Sequence, residues 1–157
     1  MVHERAFGDW LISDEPARFD LERGHEWISR QSYWAEGIPL ETFRRAVANS
    51  LVVGAYAPDG RMGAMARVVT DRATFAWLND VFVDAPHRGG GLGIALIGYV
   101  RDHPGLQGLR QILLATRDAH GLYGRFGFTP LAEPSRWMII HDPDVYRAPR
   151  LDDGTRT

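Results

Sequence analysis

The stretch Val81-Phe82-Val83-Asp84-Ala85-Pro86-His87-Arg88-Gly89-Gly90-Gly91-Leu92-Gly93 decides how this chain is read. β-branched and aromatic residues give way to a short loop. Glycines then lead into Leu92, Ala95, Leu96, Tyr99 and Val100, spaced as the apolar face of a helix. The first turn of such a helix carries N–H groups without internal partners. They project together, and the helix dipole adds partial positive charge. Glycine places no Cβ between the backbone and an approaching oxygen. Each charge-assisted bond is worth ~1.5–3 kcal/mol. Residues 88–93 can therefore hold a pyrophosphate without any lysine. On these residues alone, a glycine turn with no ligand accounts for the cluster equally well.

Outward from this segment the element order is legible. Downstream, His103-Pro104-Gly105 stops the helix. Residues 109–115 (LRQILLA) are a near-continuous apolar run, which predicts a strand buried on both faces. Strand, helix and strand should form a right-handed parallel crossover. Thr116 is placed to cap another helix, ending at Gly127 in a left-handed cap. Residues 137–141 predict a last strand, and the tail from Asp142 is expected to be irregular, with loose final residues.

Upstream, residues 51–57, 62–69 and 75–83 read as strands, with Pro58-Asp59-Gly60 and Asp71-Arg72 as turns. The meander should be antiparallel. Leu40, Phe43 and Val47 recur at i, i+3 and i+7 on a helix with Pro39 in its first position. Asp20 caps an earlier helix running to about Ser32, with Leu21, Trp27 and Ile28 apolar. Residues 7–13 (FGDWLIS) read as one short first strand, and Trp77 and Trp137 as core or sheet-face residues. The fold class is α/β with a mixed sheet: antiparallel N-terminal strands followed by a parallel β-α-β crossover.

The 157 residues suit a single domain, residues 1–157, and 45 % apolar content is enough for one core. Net charge is −2, with 18 basic against 20 acidic residues and no basic stripe, so no nucleic-acid partner is expected. There is no cysteine, which removes disulfides, a thiolate nucleophile and thiolate metal sites. The six histidines show no metal-ligand spacing, so no metal is expected. No apolar run approaches the roughly 18 residues of a membrane span. The first ten residues lack the layout of a signal peptide, which makes the cytoplasm the expected location. The P-loop pattern needs Lys-Ser or Lys-Thr after the glycines, and the dinucleotide fingerprint needs glycine where Ile94 stands.

Arg88-Gly89-Gly90-Gly91-Leu92-Gly93 resembles the R/Q-x-x-G-x-G/A motif of the GNAT superfamily of N-acetyltransferases. Ala119-His120-Gly121-Leu122-Tyr123-Gly124-Arg125-Phe126-Gly127-Phe128 is similar to that family's A-x-x-L-Y-x-x-x-G-F segment. The two stand in the family's order, one helix and one strand apart. The resemblance implies that acetyl-CoA is the acyl donor, with main-chain N–H groups of Arg88, Gly89, Gly90, Gly91, Leu92 and Gly93 on its pyrophosphate. It implies that pantetheine pairs with Val81, Phe82 and Val83, and that Tyr123 sits near the sulfur. The family often has asparagine where Thr116 stands, so contacts to the pantetheine arm should differ there. Many relatives pair, so a homodimer is a partner the resemblance allows.

Without a cysteine, direct transfer to an amine is the expected path. The attacking amine must be neutral, yet an alkylamine of pKa ~10 is protonated near neutrality. A base or a desolvating pocket is therefore needed. Tyr123 is the candidate acid for the leaving thiolate. His120 lies one turn before it on the same predicted helix face and has a suitable pKa of ~6.5. Asp80 stands at the opposite strand parity from Val81 and Val83, and serves either as base or as a counter-charge for the acceptor. The resemblance places Tyr33, Trp34 and Glu36, between the first two helices, over the acceptor slot. Two aromatic walls and one negative charge suit a cationic amine. A non-catalytic acyl-CoA sensor of the same fold is the main alternative, and a nucleotide-binding regulator a third.

Overall fold

The computed structural model describes residues 1–147. The expectation of a loose tail falls mainly on residues 148–157, outside the described residues. Six strands form one sheet in chain order: β1 (Glu4–Phe7), β2 (Trp10–Ser13), β3 (Leu51–Tyr56), β4 (Met62–Thr70), β5 (Phe75–Val83) and β6 (Gln111–Leu113). The first five are antiparallel neighbours, and only β5 with β6 is parallel. The expected single strand over residues 7–13 is in fact a hairpin. Gly8, at φ +56°, turns the chain, and Phe7 pairs with Trp10. A left-handed glycine inside an apparent strand is the physical reason for the break.

Helices α1 (Leu21–Gln31) and α2 (Leu40–Ala48) cover one face of the sheet. Asp20 caps α1 by accepting the Arg23 N–H at 3.0 Å. Trp27, Ile28 and Phe43 are buried there with Met62, Met65 and Phe82. Pro39 is the residue before α2, one position earlier than expected, and Leu40 is exposed, so the buried stripe of α2 narrows to Phe43. Helix α3 (Leu92–Asp102) fills the other face, burying Leu92, Leu96, Tyr99 and Val100 against Val53, Ala66, Val68 and Ala76. The small side chains of β3 and β4 let this apolar helix lie close to the sheet.

Beyond β6 the chain departs from expectation. β6 is an edge strand with Gln111 exposed, so the apolar run does not mark burial on both faces. Helix α4 (His120–Gly124) is short. Gly127 has the left-handed conformation expected of it, at φ +87°. Residues 137–141 form no strand among the described residues, and Trp137 is exposed.

At the far end from the glycines, Asp14 joins two elements. Its Oδ2 accepts from His103 Nε2 at 2.9 Å, and its Oδ1 accepts the His3 N–H at 2.7 Å. Burial pushes the Asp14 carboxyl up, but His103 and the His3 N–H outweigh it and hold the pKa below the usual value. The ligand-capable atoms of His3, Asp14 and His103 lie within 4.8 Å of one another, a cluster invisible in their spacing along the chain. The Gly105 N–H donates to His103 Nδ1 at 3.0 Å, which leaves the ring proton on Nε2, facing Asp14. No helix among the described residues is long and apolar enough to cross a membrane.

Candidate functional site

β5 and β6 are paired only through Phe75–Gln111, Ala76–Ile112 and Trp77–Leu113. Further along, β5 carries a bulge. Met65 faces Phe82 and Arg67 faces Asn79, so Asp80 and Val81 together oppose the single residue Ala66. Asp80 takes φ +48°, a conformation that aspartate tolerates better than most residues. An extra residue bends and twists its strand. β5 and β6 part beyond the paired stretch, and a cavity of about 650 Å³ opens there. Leu78, Asn79, Asp80, Val81 and Val83 line one side, and Leu114, Ala115 and Thr116 the other. The bulge also resets the strand's parity. Ala76 and Leu78 face the α3 core before it, and Val81 and Val83 pack there after it. Phe82 is buried on the opposite face, stacked on Trp27 with ring centroids 5.3 Å apart. Phe82 is not among the residues that line the cavity.

The glycine segment lies at the end of β5. Asp84 Oδ1 accepts the Ala85 N–H at 3.0 Å and caps a turn over Ala85–His87, while its Oδ2 accepts from Arg23 Nη2 at 2.8 Å. The turn is thereby tied to α1. Gly91, at φ +84°, is the residue before α3, and the first helical bond runs from the Ala95 N–H to the Gly91 carbonyl at 3.0 Å. Among the described residues, the N–H groups of residues 89–94 have no acceptor. A Cβ on Gly89 or Gly90 would meet nothing within 4 Å, and the first turn of α3 holds no acid. The cradle is open, electropositive and unfilled by protein. Arg88 is anchored, its Nε donating to the Val83 carbonyl at 2.8 Å. The Leu92 side chain is buried in the core, and Gly93 connects the cradle to the cavity wall.

The cavity lining is also rich in aromatic residues. Tyr33, Trp34 and Tyr123 line it, together with Tyr146 and Trp77. Trp34 Nε1 donates to Asp80 Oδ1 at 2.8 Å, and Arg67 Nε donates to Asp80 Oδ2 at 2.7 Å. The Asp80 and Arg67 side chains are only 4 % and 11 % exposed. Both Asp80 oxygens already accept hydrogen bonds, and the charge pair is internally balanced. This arrangement suits Asp80 as the anchor of Trp34 better than as a free base. Removing the carboxylate should leave Arg67 buried without a counter-charge, at a cost of about 3–5 kcal/mol. Asp80→Ala is expected to lower the thermal unfolding temperature sharply and Asp80→Asn less. Equal unfolding temperatures for Asp80→Ala and the parent protein would show that the pair contributes nothing.

Tyr123 is half-buried and edge-on to Phe128, with centroids 5.9 Å apart. Burial pushes its phenol pKa up, and neighbouring Tyr33 adds to the shift. The group therefore stays protonated and can donate. Thr116 lines the cavity, and its Oγ1 accepts the Ala119 N–H at 3.1 Å. His120 and Glu36 are exposed and lie outside the cavity lining.

Several lining residues were not singled out from the sequence. Arg117 lies with its guanidinium 4.0 Å from the Tyr33 ring centroid and gives its N–H to Tyr33 Oη at 3.1 Å, so two loops meet across the mouth. Asp118 stands beside it. Arg67 had a signal: it is the single charge in the apolar run MGAMARVVT. Tyr146 had none, because nothing local says where the tail returns.

A mixed sheet parted at its parallel pair, with unpartnered N–H groups at the head of the crossover helix, defines an α/β protein with an open slot beside its parallel strands. The family model for the acetyltransferase (GNAT) domain matches residues 48–130. A crystal structure from Xanthomonas campestris pv. campestris, assigned to GNAT-family acetyltransferases, is 44 % identical, covers 94 % of this chain and 98 % of its own, and superposes with a TM-score of 0.84. A Gibberella zeae protein assigned as an acetyltransferase is 27 % identical over 139 residues, covering 75 % of this chain and 77 % of that protein. A Mycobacterium tuberculosis protein solved in complex with CoA shares the fold, at 21 % identity and a TM-score of 0.58, over 83 % of this chain and 72 % of its own. The chain belongs to the GNAT family of acetyltransferases.

Proposed function

We propose that this protein moves an acetyl group from acetyl-CoA to a primary amine of a small molecule or peptide. The observation that carries this reading is the continuity of the cradle with the cavity. Gly93 belongs to both, so a pyrophosphate held at residues 88–93 leaves its pantetheine arm entering beside Val81 and Val83. The main chain of Val81, Phe82 and Val83 has no β6 partner there and is available for pairing. The thioester then lies near Tyr123, with the amine entering past Tyr33 and Trp34.

In the transfer step, the amine nitrogen attacks the thioester carbonyl carbon. The carbon–sulfur bond breaks, the new amide keeps the acetyl group, and the sulfur takes a proton from the Tyr123 hydroxyl. The proton lost by the amine returns to the phenolate through solvent. The aromatic walls favour the amine's entry by excluding water, which lowers the cost of its neutral form. Asp80 acts here by fixing Trp34, not by taking the proton. Asp118, on the cavity lining and exposed, is placed to pass that proton to bulk water.

The experiment is acetyl-CoA calorimetry followed by thiol release against a panel of primary amines. Micromolar binding and amine-dependent release are expected. Binding without any amine-dependent release identifies a sensor of acyl-CoA instead, and no binding removes the reading altogether.

A further inference from the structure

The larger cavity is lined from both faces of the sheet, and the two faces are built differently. Val81 and Val83 pack on the α3 side, the side of the cradle. Trp77 has the opposite parity from Ala76 and Leu78, so it stands on the α1–α2 side. Ile38 and Tyr146 belong to that helical layer, and Tyr33 and Trp34 come from the chain between the two helices. This second wall is therefore mainly aromatic. The rings of Tyr33 and Trp34 meet edge to face, with centroids 5.0 Å apart and an interplanar angle of 89°. Two exposed rings at right angles offer an incoming flat ring a face and an edge at once, the two contacts that aromatic groups favour. The corner is also held in place. Asp80 fixes Trp34 through its Nε1, and Tyr33 Oη accepts the Arg117 N–H at 3.1 Å. A wall already ordered loses little freedom when a ligand docks. Tyr33 is close enough to Tyr123 to raise its phenol pKa, so the corner and the proton donor are neighbours.

Charge narrows the ligand further. Among the described residues, the charged side chains of the lining cancel in pairs: Arg67 with Asp80 at 2.7 Å, and Arg117 with Asp118 at 3.9 Å. Glu36, the negative charge expected there, is exposed outside the lining. We propose that the acceptor is an aromatic monoamine, a primary amine joined by a short linker to one flat, uncharged ring that docks in the Tyr33–Trp34 corner. This acceptor class rests on the amine transfer proposed above and narrows it. The docked ring displaces water from around the nitrogen, which favours the neutral form that attacks. A diamine or an amino acid brings a second charge into the cavity that no wall group is free to balance. The lysine of a peptide brings its amine on a flexible alkyl chain, which gains neither the face nor the edge contact.

The test compares phenethylamine with cyclohexylethylamine at saturating acetyl-CoA. The two share their carbon count and their charge, and only the first has a flat ring. kcat/KM should favour phenethylamine by about tenfold, the upper range of an aromatic contact beyond its buried area. Diaminobutane, phenylalanine and a lysine amide blocked at its α-nitrogen should all fall below phenethylamine. Equal values for the two cyclic amines overturn the proposal, and so does a higher value for any of the other three. Tyr33→Leu keeps an apolar wall and removes the corner. It should erase the advantage of the flat ring and leave KM for acetyl-CoA unchanged; an advantage that survives refutes the corner as its source. Calorimetry of the same amines with the CoA-loaded protein separates acceptor class from chemistry. Phenethylamine that binds tenfold tighter than cyclohexylethylamine but is never acetylated keeps the ring site and removes the transfer. Turnover of amines without any ring preference keeps the transfer and removes the aromatic acceptor. Neither binding nor turnover removes both.

Discussion

Gly90→Glu should abolish acetyl-CoA binding while leaving the protein folded. Gly90 lacks the left-handed φ of Gly89 and Gly91, and a Cβ there meets no atom within 4 Å. The side chain is therefore accommodated without strain, in contrast to Gly91→Glu, where φ +84° would confuse a folding defect with a binding one. The new carboxylate stands at the lip of a cradle whose N–H groups have no acceptor among the described residues. It repels a diphosphate, and it can occupy the free donors itself. A unit charge about 4 Å from a phosphate, at an effective dielectric near 20, costs about 4 kcal/mol. That corresponds to roughly a thousandfold loss of affinity. Gly90→Ala adds bulk without charge and should lose far less. Calorimetry with acetyl-CoA separates the two, and thermal unfolding confirms the fold. Parent-like affinity in Gly90→Glu would place the phosphates elsewhere.

The cradle was legible in the sequence because its chemistry is main-chain chemistry. Three adjacent glycines after a strand and before an apolar helix specify both the conformation and the absence of side chains. The order of β3, β4, β5 and α3 was legible for a similar reason, since alternation, turn residues and the helical repeat are local. What escaped was set by contacts distant in sequence. The bulge at Asp80 depends on how β5 registers against β4, and no local pattern announces it. Strict alternation of burial along residues 75–83 even conceals it, because both faces of that strand are covered. Asp80 was therefore visible as a candidate carboxylate, but its engagement by Arg67 and Trp34, 13 and 46 residues away, was not. His120 and Glu36 show the limit of adjacency in sequence. Each sits next to a cavity residue in sequence, and neither lines the cavity. The apolar run at residues 137–140 has the composition of a buried strand, yet burial needs a partner surface, and composition does not say whose.

Tyr123→Phe should lower kcat by about a hundredfold, the lower end of what a positioned acid contributes, with little change in KM for acetyl-CoA. The substitution removes one oxygen and keeps the ring that packs on Phe128. Its effect should also depend on the leaving group. An alkyl thiolate is a poor leaving group and needs the phenol's proton. An aryl thiolate departs unaided. With acetyl thioesters of progressively more acidic thiols, the gap between parent and variant should therefore shrink towards nothing. If Tyr123 only shapes the cavity, the gap stays constant along the series. The pH profile supplies the second arm. Burial raises the Tyr123 pKa, so the donating form persists below that raised value and is lost as pH climbs through it. The parent enzyme should keep its rate to a pH above the ordinary tyrosine value of about 10 before falling. Tyr123→Phe has no proton to lose and should show no such alkaline fall. A variant that retains it would assign the limb to the acceptor or to another group.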